Sequence, residues 1–259
     1  MPQFAANLSM LFTEWPFLDR FERAAQAGFQ FVEFQFPYEV PAAEIRARLD
    51  RHQLQAVLHN MPAGNRAAGE RGIGCHPDRA DEFRAGITQA IAYATVLGVP
   101  RVNVLAGRVP PGVDEPLLRR TFVANLRQAA QAFKHAGLVL LIEPINDIDV
   151  PGFYLTRTAQ ALDLLDEVGA DNAFVQYDMY HAQRMEGDVA ATLQRHLARI
   201  GHVQFADNPG RHEPGTGELN WEFLFAHLDR IGYGGQVGAE YKPATTTEAG
   251  LGWLGRYAG

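Results

Sequence analysis

The chain contains a single cysteine, Cys75, so no disulfide can form within it, which suits a reducing compartment. Only His76 adjoins it as a base, and Cys75 reads as a bystander thiol rather than a nucleophile. No apolar run approaches ~18–20 residues, which argues against a helical membrane span. The segment Met1-Pro2-Gln3-Phe4-Ala5-Ala6-Asn7 has no basic stretch ahead of an apolar core, and a cytoplasmic location is the expectation. Basic residues are in deficit, 23 Lys and Arg against 30 Asp and Glu, for a net charge of −7. That balance argues against nucleic acid as the main partner, since phosphate binding needs a basic face. It does not exclude an anionic small molecule, because a metal ion and one arginine can reverse the sign locally. There is no Pro/Ser-rich linker, low-complexity segment or sequence repeat, and no Gly-x-Gly-x-x-Gly turn follows the first strand-like run.

What the chain does have is alternation. Strand-like runs at Phe4–Asn7, Phe29–Phe34, Leu54–His59, Arg101–Leu105, Leu138–Ile142, Ala173–Tyr177, Gly201–Phe205 and Gln236–Ala239 are interleaved with helical patterns. The helices are expected at Phe17–Ala27, Pro41–His52, Arg79–Leu97, Pro116–His135, Thr156–Val168, Val189–Arg199, Trp221–Ile231 and near Thr246–Leu254. Gly28, Gly98, Gly137, Gly169 and Gly232 fall where helices need a left-handed cap, and Asp19, Thr156 and Asn220 are candidate N-caps. Eight such units in 259 residues predict an α/β fold, a (β/α)8 TIM barrel in one domain spanning 1–259, over a doubly wound open sheet.

In the second half, four runs each end on an oxygen ligand of the type metals use: Glu143, Asp178, Gln204 and Glu240. Their spacings are 35 (143 to 178), 26 (178 to 204) and 36 residues (204 to 240), close to one strand–helix–strand unit each. In a parallel barrel they would converge at the carboxyl ends of the fifth to eighth strands, where barrel active sites lie. An all-oxygen set suits Mg²⁺ or Mn²⁺ better than structural zinc. Each glutamate alone reads equally as an exposed residue opening a loop, with Lys242 a simple ion-pair partner for Glu240; four in register favour a site.

Other residues could line the same mouth. His181, three after Asp178, could donate to a substrate hydroxyl or carbonyl oxygen, or cap the next segment. His59 ends the third strand and reads equally as a satisfied core histidine. His202 lies two residues before Gln204, on the same face one layer deeper, and reads as structural. Arg211, in the Gly/Pro-dense loop Asp207 to Glu218, and Arg71, in the long loop Asn60–Pro77, are candidates to clamp a carboxylate; solvated loop charges are the competing reading. Loops as long as Asn60–Pro77 are usually lids or disordered.

At these residues the chain resembles the hydroxypyruvate isomerase family of the xylose isomerase-like barrel superfamily. The likeness runs through Ala6-Asn7-Leu8-Ser9-Met10-Leu11-Phe12, Leu58-His59-Asn60-Met61-Pro62-Ala63-Gly64, Ala68-Gly69-Glu70-Arg71-Gly72 and Leu141-Ile142-Glu143-Pro144-Ile145-Asn146. It continues in Gln176-Tyr177-Asp178, Tyr180-His181, Arg184-Met185-Glu186-Gly187, Ala206-Asp207-Asn208-Pro209, Glu213-Pro214-Gly215-Thr216-Gly217-Glu218 and Glu240-Tyr241-Lys242-Pro243. The resemblance implies a divalent metal on Glu143, Asp178, Gln204 and Glu240, with Glu143 and Glu240 as the acid/base pair. Many superfamily members have histidine where this chain has Gln204, which leaves the metal's identity open. The expected reaction interconverts hydroxypyruvate and tartronate semialdehyde through a cis-enediolate, with His181 assisting proton movement between oxygens. Arg211, Arg71, His59 and Lys242 would contact a small hydroxy- or oxo-acid substrate.

A sister family isomerises 2-oxo-tetronates and is similar in its N-terminal segment. A carbohydrate-acid dehydratase or an epimerase on the same site and a non-catalytic sugar-acid-binding protein are the other readings, and the same barrel is used by zinc-dependent endonucleases acting at abasic DNA. The last need a His-rich cluster and a basic face. Barrels of this type often form homo-oligomers, but no segment here identifies an interface. The charge balance predicts that the protein passes unretained through immobilised duplex DNA at moderate salt; retention would favour the endonuclease class.

Overall fold

Strands apolar on both faces need helices outside and side chains inside, and a closed barrel satisfies both needs without a free sheet edge. A computed structural model describes residues 2–257. Its strands are β1 Gln3–Asn7, β2 Phe31–Phe34, β3 Gln55–Asn60, β4 Arg101–Asn103, β5 Val139–Ile142, β6 Ala173–Asp178, β7 Ile200–Phe205 and β8 Gln236–Ala239. All neighbours pair in parallel in chain order, and β8 returns to pair with β1, closing the barrel. The helices are α1 Arg20–Gln26, α2 Ala42–His52, α3 Ala80–Leu97, α4 Glu115–His135, α5 Thr158–Val168, α6 Met179–Met185, α7 Val189–His196, α8 Trp221–Ile231, α9 Thr247–Gly250 and α10 Gly252–Tyr257.

Several ends follow the expected local chemistry. Asn220 caps α8 by accepting the Phe223 N–H at 3.1 Å, and Gly98 closes α3 with φ of 72°. The other glycines expected past helices also have positive φ. Thr156 is not the cap of α5. That helix starts two residues later, and Glu186 accepts both the N–H and the hydroxyl of Thr158 at 2.8 Å. The short helix α6, directly after β6, was not among the expected elements. Its seven residues follow Asp178, whose carboxylate accepts the Tyr180 N–H.

Strand alternation explains what fills the barrel. Ala5, Leu58 and Leu141, with Phe31 and Phe174, form a small apolar cluster separate from the main core. Two residues further along their strands, the same faces carry Asn7, Asn60, Glu143, Glu33 and Gln176 in place of apolar groups. The interior therefore changes from apolar to polar toward the carboxyl ends of the strands. Outside, the main core packs the sheet against the helices. Phe4 of β1 meets Phe225 of α8 and Trp253 of α10 at centroid separations of 4.9 and 5.0 Å, and Phe205 of β7 meets Trp253 at 5.2 Å. Edge-to-face aromatic pairs of this kind contribute about 0.5–1.5 kcal/mol each beyond burial. They brace the β7–β8–β1 side, where two of the predicted ligands sit.

No helix among the described residues is long and apolar enough to cross a membrane. Cys75 is fully buried, and burial pushes its thiol up to about 12. Because the raised value leaves little thiolate below it, native protein at pH 8 is expected not to react with a disulfide reagent such as DTNB on a time scale of minutes. Denatured protein should titrate one thiol per chain. Rapid native labelling would contradict this burial.

Candidate active site

Each predicted ligand reaches its place through strand register. Glu143 and Glu240 immediately follow β5 and β8, Asp178 ends β6, and Gln204 is the penultimate residue of β7. Asp178 pairs with Gln204, and Gln204 with Gly238, in the parallel ladders, so Glu240 stands two residues beyond that level, while Ile142 pairs with Val175 and Glu143 starts a layer below it. All four are buried. Glu143 accepts from Asn103 Nδ2 at 2.8 Å. Glu240 Oε1 accepts from Gln35 Nε2 at 2.9 Å and Asn7 Nδ2 at 3.0 Å, and its Oε2 accepts from Arg211 Nη2 at 2.5 Å. Asp178 Oδ2 lies 3.4 Å from the same Arg211 nitrogen.

The electrostatics are unbalanced. Glu33, Glu143, Asp178 and Glu240 are four buried carboxylates in one barrel mouth, and one guanidinium, that of Arg211, reaches two of them. Burial, then the charges of Glu240 and Asp178, push Glu143 well above the usual carboxylate range. Burial likewise pushes Asp178 up to about 7, against the pull of Arg211, and raises Glu240. Two like charges ~4 Å apart repel by about 4 kcal/mol at an effective dielectric of ~20. A hydrogen bond to a charged group returns about 1.5–3 kcal/mol. Protons, or a further cation, would relieve the repulsion within the cluster.

The donor set fits a divalent ion on other grounds as well. Ligand atoms of Glu143, Asp178 and His181 lie within 4.8 Å of one another. The buried oxygens Asn103 Oδ1 and Gln176 Oε1 have no hydrogen-bond partner and leave acceptor capacity inside the barrel.

His181 belongs to that geometric group, but its tautomer argues for a donor role. Asn146 Oδ1 accepts the Asp149 N–H at 2.8 Å, which turns Asn146 Nδ2 toward His181 Nδ1 at 2.6 Å. The Asn146 backbone N–H also points at Nδ1, at 3.3 Å. With two donors on Nδ1, the ring proton belongs on Nε2, which lies 3.6 Å from Asp178 Oδ2 and 4.0 Å from Glu143 Oε1. Burial, with the charges of Arg211 and Arg184, holds the imidazole well below its usual pKa and so neutral. An Nε2–H facing the site can donate to an oxygen; it is not the lone pair a metal requires.

A cavity of about 280 Å³ opens over these groups, lined among others by Glu143, His181, Arg211, Glu240, Lys242 and Arg71. Arg71 and Lys242 are exposed at its rim. Lys242 is not the ion partner of Glu240; Arg211 is. His59 does not line the cavity. In the β2–β3 ladder Glu33 pairs with Leu58 and Phe34 with His59, so His59 faces the helix side and its neighbour Asn60 faces in. The His59 ring meets Tyr38, which packs on Tyr93 of α3 at 4.9 Å. His202 lies beneath Gln204 as its two-residue offset requires, with Nε2 2.7 Å from Glu33 Oε2.

Glu33, Asn7, Gln35, Asn103, Asn146 and Gln176 were not among the expected site residues, although they hold the ones that were. One signal was present: Glu33 is a charge inside the apolar strand Phe31–Phe34, which a solvent-facing reading explains away until the strand is known to be enclosed.

Arg211 is presented by a loop wound on one carboxylate. Asp207 accepts from the backbone N–H groups of Asn208, Gly215 and Gly217, each at 2.9 Å, and of Leu219 at 3.2 Å. A Cβ on Gly217 would fall 2.2 Å from the Asn208 carbonyl oxygen, so the loop closes this tightly only with glycine there. Lys242 N–H donates to the Arg211 carbonyl at 2.7 Å, tying the loop to the end of β8.

Fold and site together define an eight-stranded α/β barrel with a buried, carboxylate-rich mouth at the carboxyl ends of its strands. The sequence profile of the xylose isomerase-like TIM barrel family matches residues 21–257, and the chain belongs to that family. It is 52% identical over 257 residues, 99% of this chain and all of the relative, to the hydroxypyruvate isomerase of Escherichia coli K12. It is 51% identical over its whole length, and that of the relative, to the 2-oxo-tetronate isomerase of Cupriavidus necator. A crystal structure from Brucella melitensis described as an AP endonuclease of family 2 superposes with a TM-score of 0.97 at 43% identity, covering 99% of both chains.

Replacing Asp207 with Ala leaves four backbone donors without their acceptor and is expected to cost ~2–4 kcal/mol of stability. Urea denaturation measures this. A loss below ~0.5 kcal/mol would show that the carboxylate does not organise the loop.

Proposed function

We propose that this protein is a metal-dependent aldose–ketose isomerase that interconverts hydroxypyruvate and tartronate semialdehyde. The observation that carries the reading is the clustering of the buried carboxylates of Glu143, Asp178 and Glu240 around His181 and Arg211 at the strand ends, with Gln204 beside Asp178 in the ladder, in a chain similar over its whole length to proteins named as isomerases of oxo acids. Glu143, Asp178, Gln204 and Glu240 would hold a divalent ion, and their oxygen donors suit magnesium or manganese. Such an ion, when bound, supplies Lewis-acid stabilisation of negative charge developing on neighbouring oxygens.

The two isomers differ by one hydrogen moved between C2 and C3 and one carbonyl relocated. Glu143 and Glu240 stand three strands apart around the barrel, suited to flanking a planar intermediate. One glutamate takes a proton from C3. The C–H electron pair becomes the C2–C3 double bond, and the carbonyl pair moves to the C2 oxygen. The opposite glutamate delivers a proton to C2 as the C3 oxygen forms the new carbonyl and passes its proton to the C2 oxygen. Their raised affinities for protons suit both directions of this exchange. His181, with its proton on Nε2, serves the oxygen-to-oxygen transfer as donor. Arg211 steadies Glu240 and Asp178, while Arg71 and Lys242 at the rim supply positive charge for the substrate carboxylate.

A 2-oxo-tetronate is the second reading, favoured by the 51% identity to a relative so named. It also places a carbonyl and a hydroxyl on adjacent carbons, so the same proton transfer applies. An endonuclease role draws no support from the site. The metal-type group formed by carboxylates and histidine among the described residues is Glu143, Asp178 and His181, with one histidine, and the net charge is −7.

Proton NMR of hydroxypyruvate in D₂O, with Mg²⁺ or Mn²⁺ and then with EDTA, tests the proposal. Metal-dependent tartronate semialdehyde signals with deuterium entering at carbon are expected. Exchange without product would move the substrate to the 2-oxo-tetronates, and no exchange with either ion would overturn the reading. Glu143→Gln and Glu240→Gln should each lower kcat by at least ~10³ with the fold retained. A fully active variant would remove that glutamate from the chemistry.

A further inference from the structure

Of the four groups assigned above to a metal, Gln204 is the one whose oxygen is not guaranteed to face the right way. A carboxylate presents oxygen at both ends, whereas an amide presents oxygen at one end and N–H at the other, and the two ends have the same shape. Hydrogen-bond partners decide between them. Gln204 Nε2 donates to Glu33 Oε1 at 2.7 Å, and Gln204 Oε1 accepts from Gln176 Nε2 at 2.6 Å on the side of β6, the strand that ends in Asp178. Glu33 Oε1 is an acceptor on independent grounds. Asn7 Oδ1 accepts the Ser9 N–H at 3.1 Å, so its Nδ2 is the group that faces Glu33 Oε1, at 2.9 Å. The same Asn7 nitrogen reaches Glu240 Oε1 at 3.0 Å, which links Glu33 to a second member of the set.

Glu33 is also built in. It is fully buried, and a register irregularity in the β2–β3 ladder falls at this residue. A Cβ on Gly238 would lie 2.4 Å from both of its carboxylate oxygens, so the space it fills exists because position 238 has no side chain. A buried carboxyl group is costly unless donors meet its oxygens, and here the amides of Gln204 and Asn7 and the ring of His202 do so.

We propose that Glu33 is a positioning residue that selects which end of the Gln204 amide faces β6, holding the oxygen rather than the nitrogen on the side of the strand that carries Gln176 and Asp178. The inference rests on the metal reading of Glu143, Asp178, Gln204 and Glu240. Outer contacts of this kind typically change metal affinity by ~10–100-fold.

The selecting role makes a prediction that a purely structural one does not. If Glu33 matters because an amide has two unlike ends, a carboxylate at 204 makes it dispensable. Mn²⁺ binding to the full chain, followed by loss of the free-ion EPR signal, reads this without turnover, and thermal melting verifies folding. Glu33→Met is expected to weaken Mn²⁺ binding at least ~10-fold, and the double variant Glu33→Met with Gln204→Glu to return within ~3-fold of the native affinity. Should Glu33→Met not fold, Gly238→Ala displaces the carboxylate with its charge intact and is expected to show the same loss and the same recovery with Gln204→Glu. Native-like binding in the folded single variants, or no recovery in the folded double variants, would overturn the role of Glu33 alone. Absence of Mn²⁺ binding by the native protein would overturn the metal reading, and the role of Glu33 with it.

Discussion

Mutual repulsion among buried carboxylates is the constraint to which the upper half of this barrel answers. Glu33, Glu143, Asp178 and Glu240 have little or no access to water. Almost every polar contact around them is a donor turned inward: the amides of Asn7, Gln35, Asn103 and Gln204, the imidazole of His202 and the guanidinium of Arg211. An apolar filling would be more stable. Retaining the carboxylates leaves a site with a high affinity for protons, which a proton-transferring isomerase uses, and a group that could hold a metal.

The rest of the molecule keeps those charges in place. The inner faces of the strands change from apolar to polar within two residues, so the acidic layer rests on packed side chains and not on water. The aromatic contacts of Phe4, Phe205, Phe225 and Trp253 fasten β7, β8 and β1 to the last helices, and Trp253 Nε1–H donates to the Tyr241 hydroxyl at 3.0 Å, one residue beyond Glu240. The loop on Asp207 and the short helix α6 then deliver Arg211 and His181 from opposite sides of β7 and β6. Tyr180 serves both, with its ring 5.3 Å from each of the Arg211 guanidinium and the His181 ring.

Much of this was legible along the chain, and the reason differs by feature. The barrel follows from eight alternations of β-rich and helical runs, a periodic signal repeated often enough to survive errors at single boundaries. Glu143, Asp178, Gln204 and Glu240 stood out because each interrupts an apolar run at the same point of its unit. For His59 the two readings stayed equal because the end of a strand carries residues of both faces, and choosing between His59 and Asn60 needs the pairing of β3 with β2. Helix α6 escaped notice because seven residues beginning directly after a strand carry too little periodicity.

The sequence by itself determined the parallel barrel, the end of it on which chemistry is to be sought and the four oxygen-bearing residues at the ends of the last strands, because these depend on local pattern and on chain order. Only the tertiary structure decided that Glu33 is enclosed, that Arg211 answers Glu240 and Asp178 instead of standing free, that His181 carries its proton on Nε2 and which way the Gln204 amide turns. Each of these is settled by partners far apart in sequence: 169 residues separate Glu33 from His202, 29 separate Arg211 from Glu240 and 35 separate Asn146 from His181. A side chain's protonation and direction are properties of its neighbours, and barrel closure is what makes these residues neighbours.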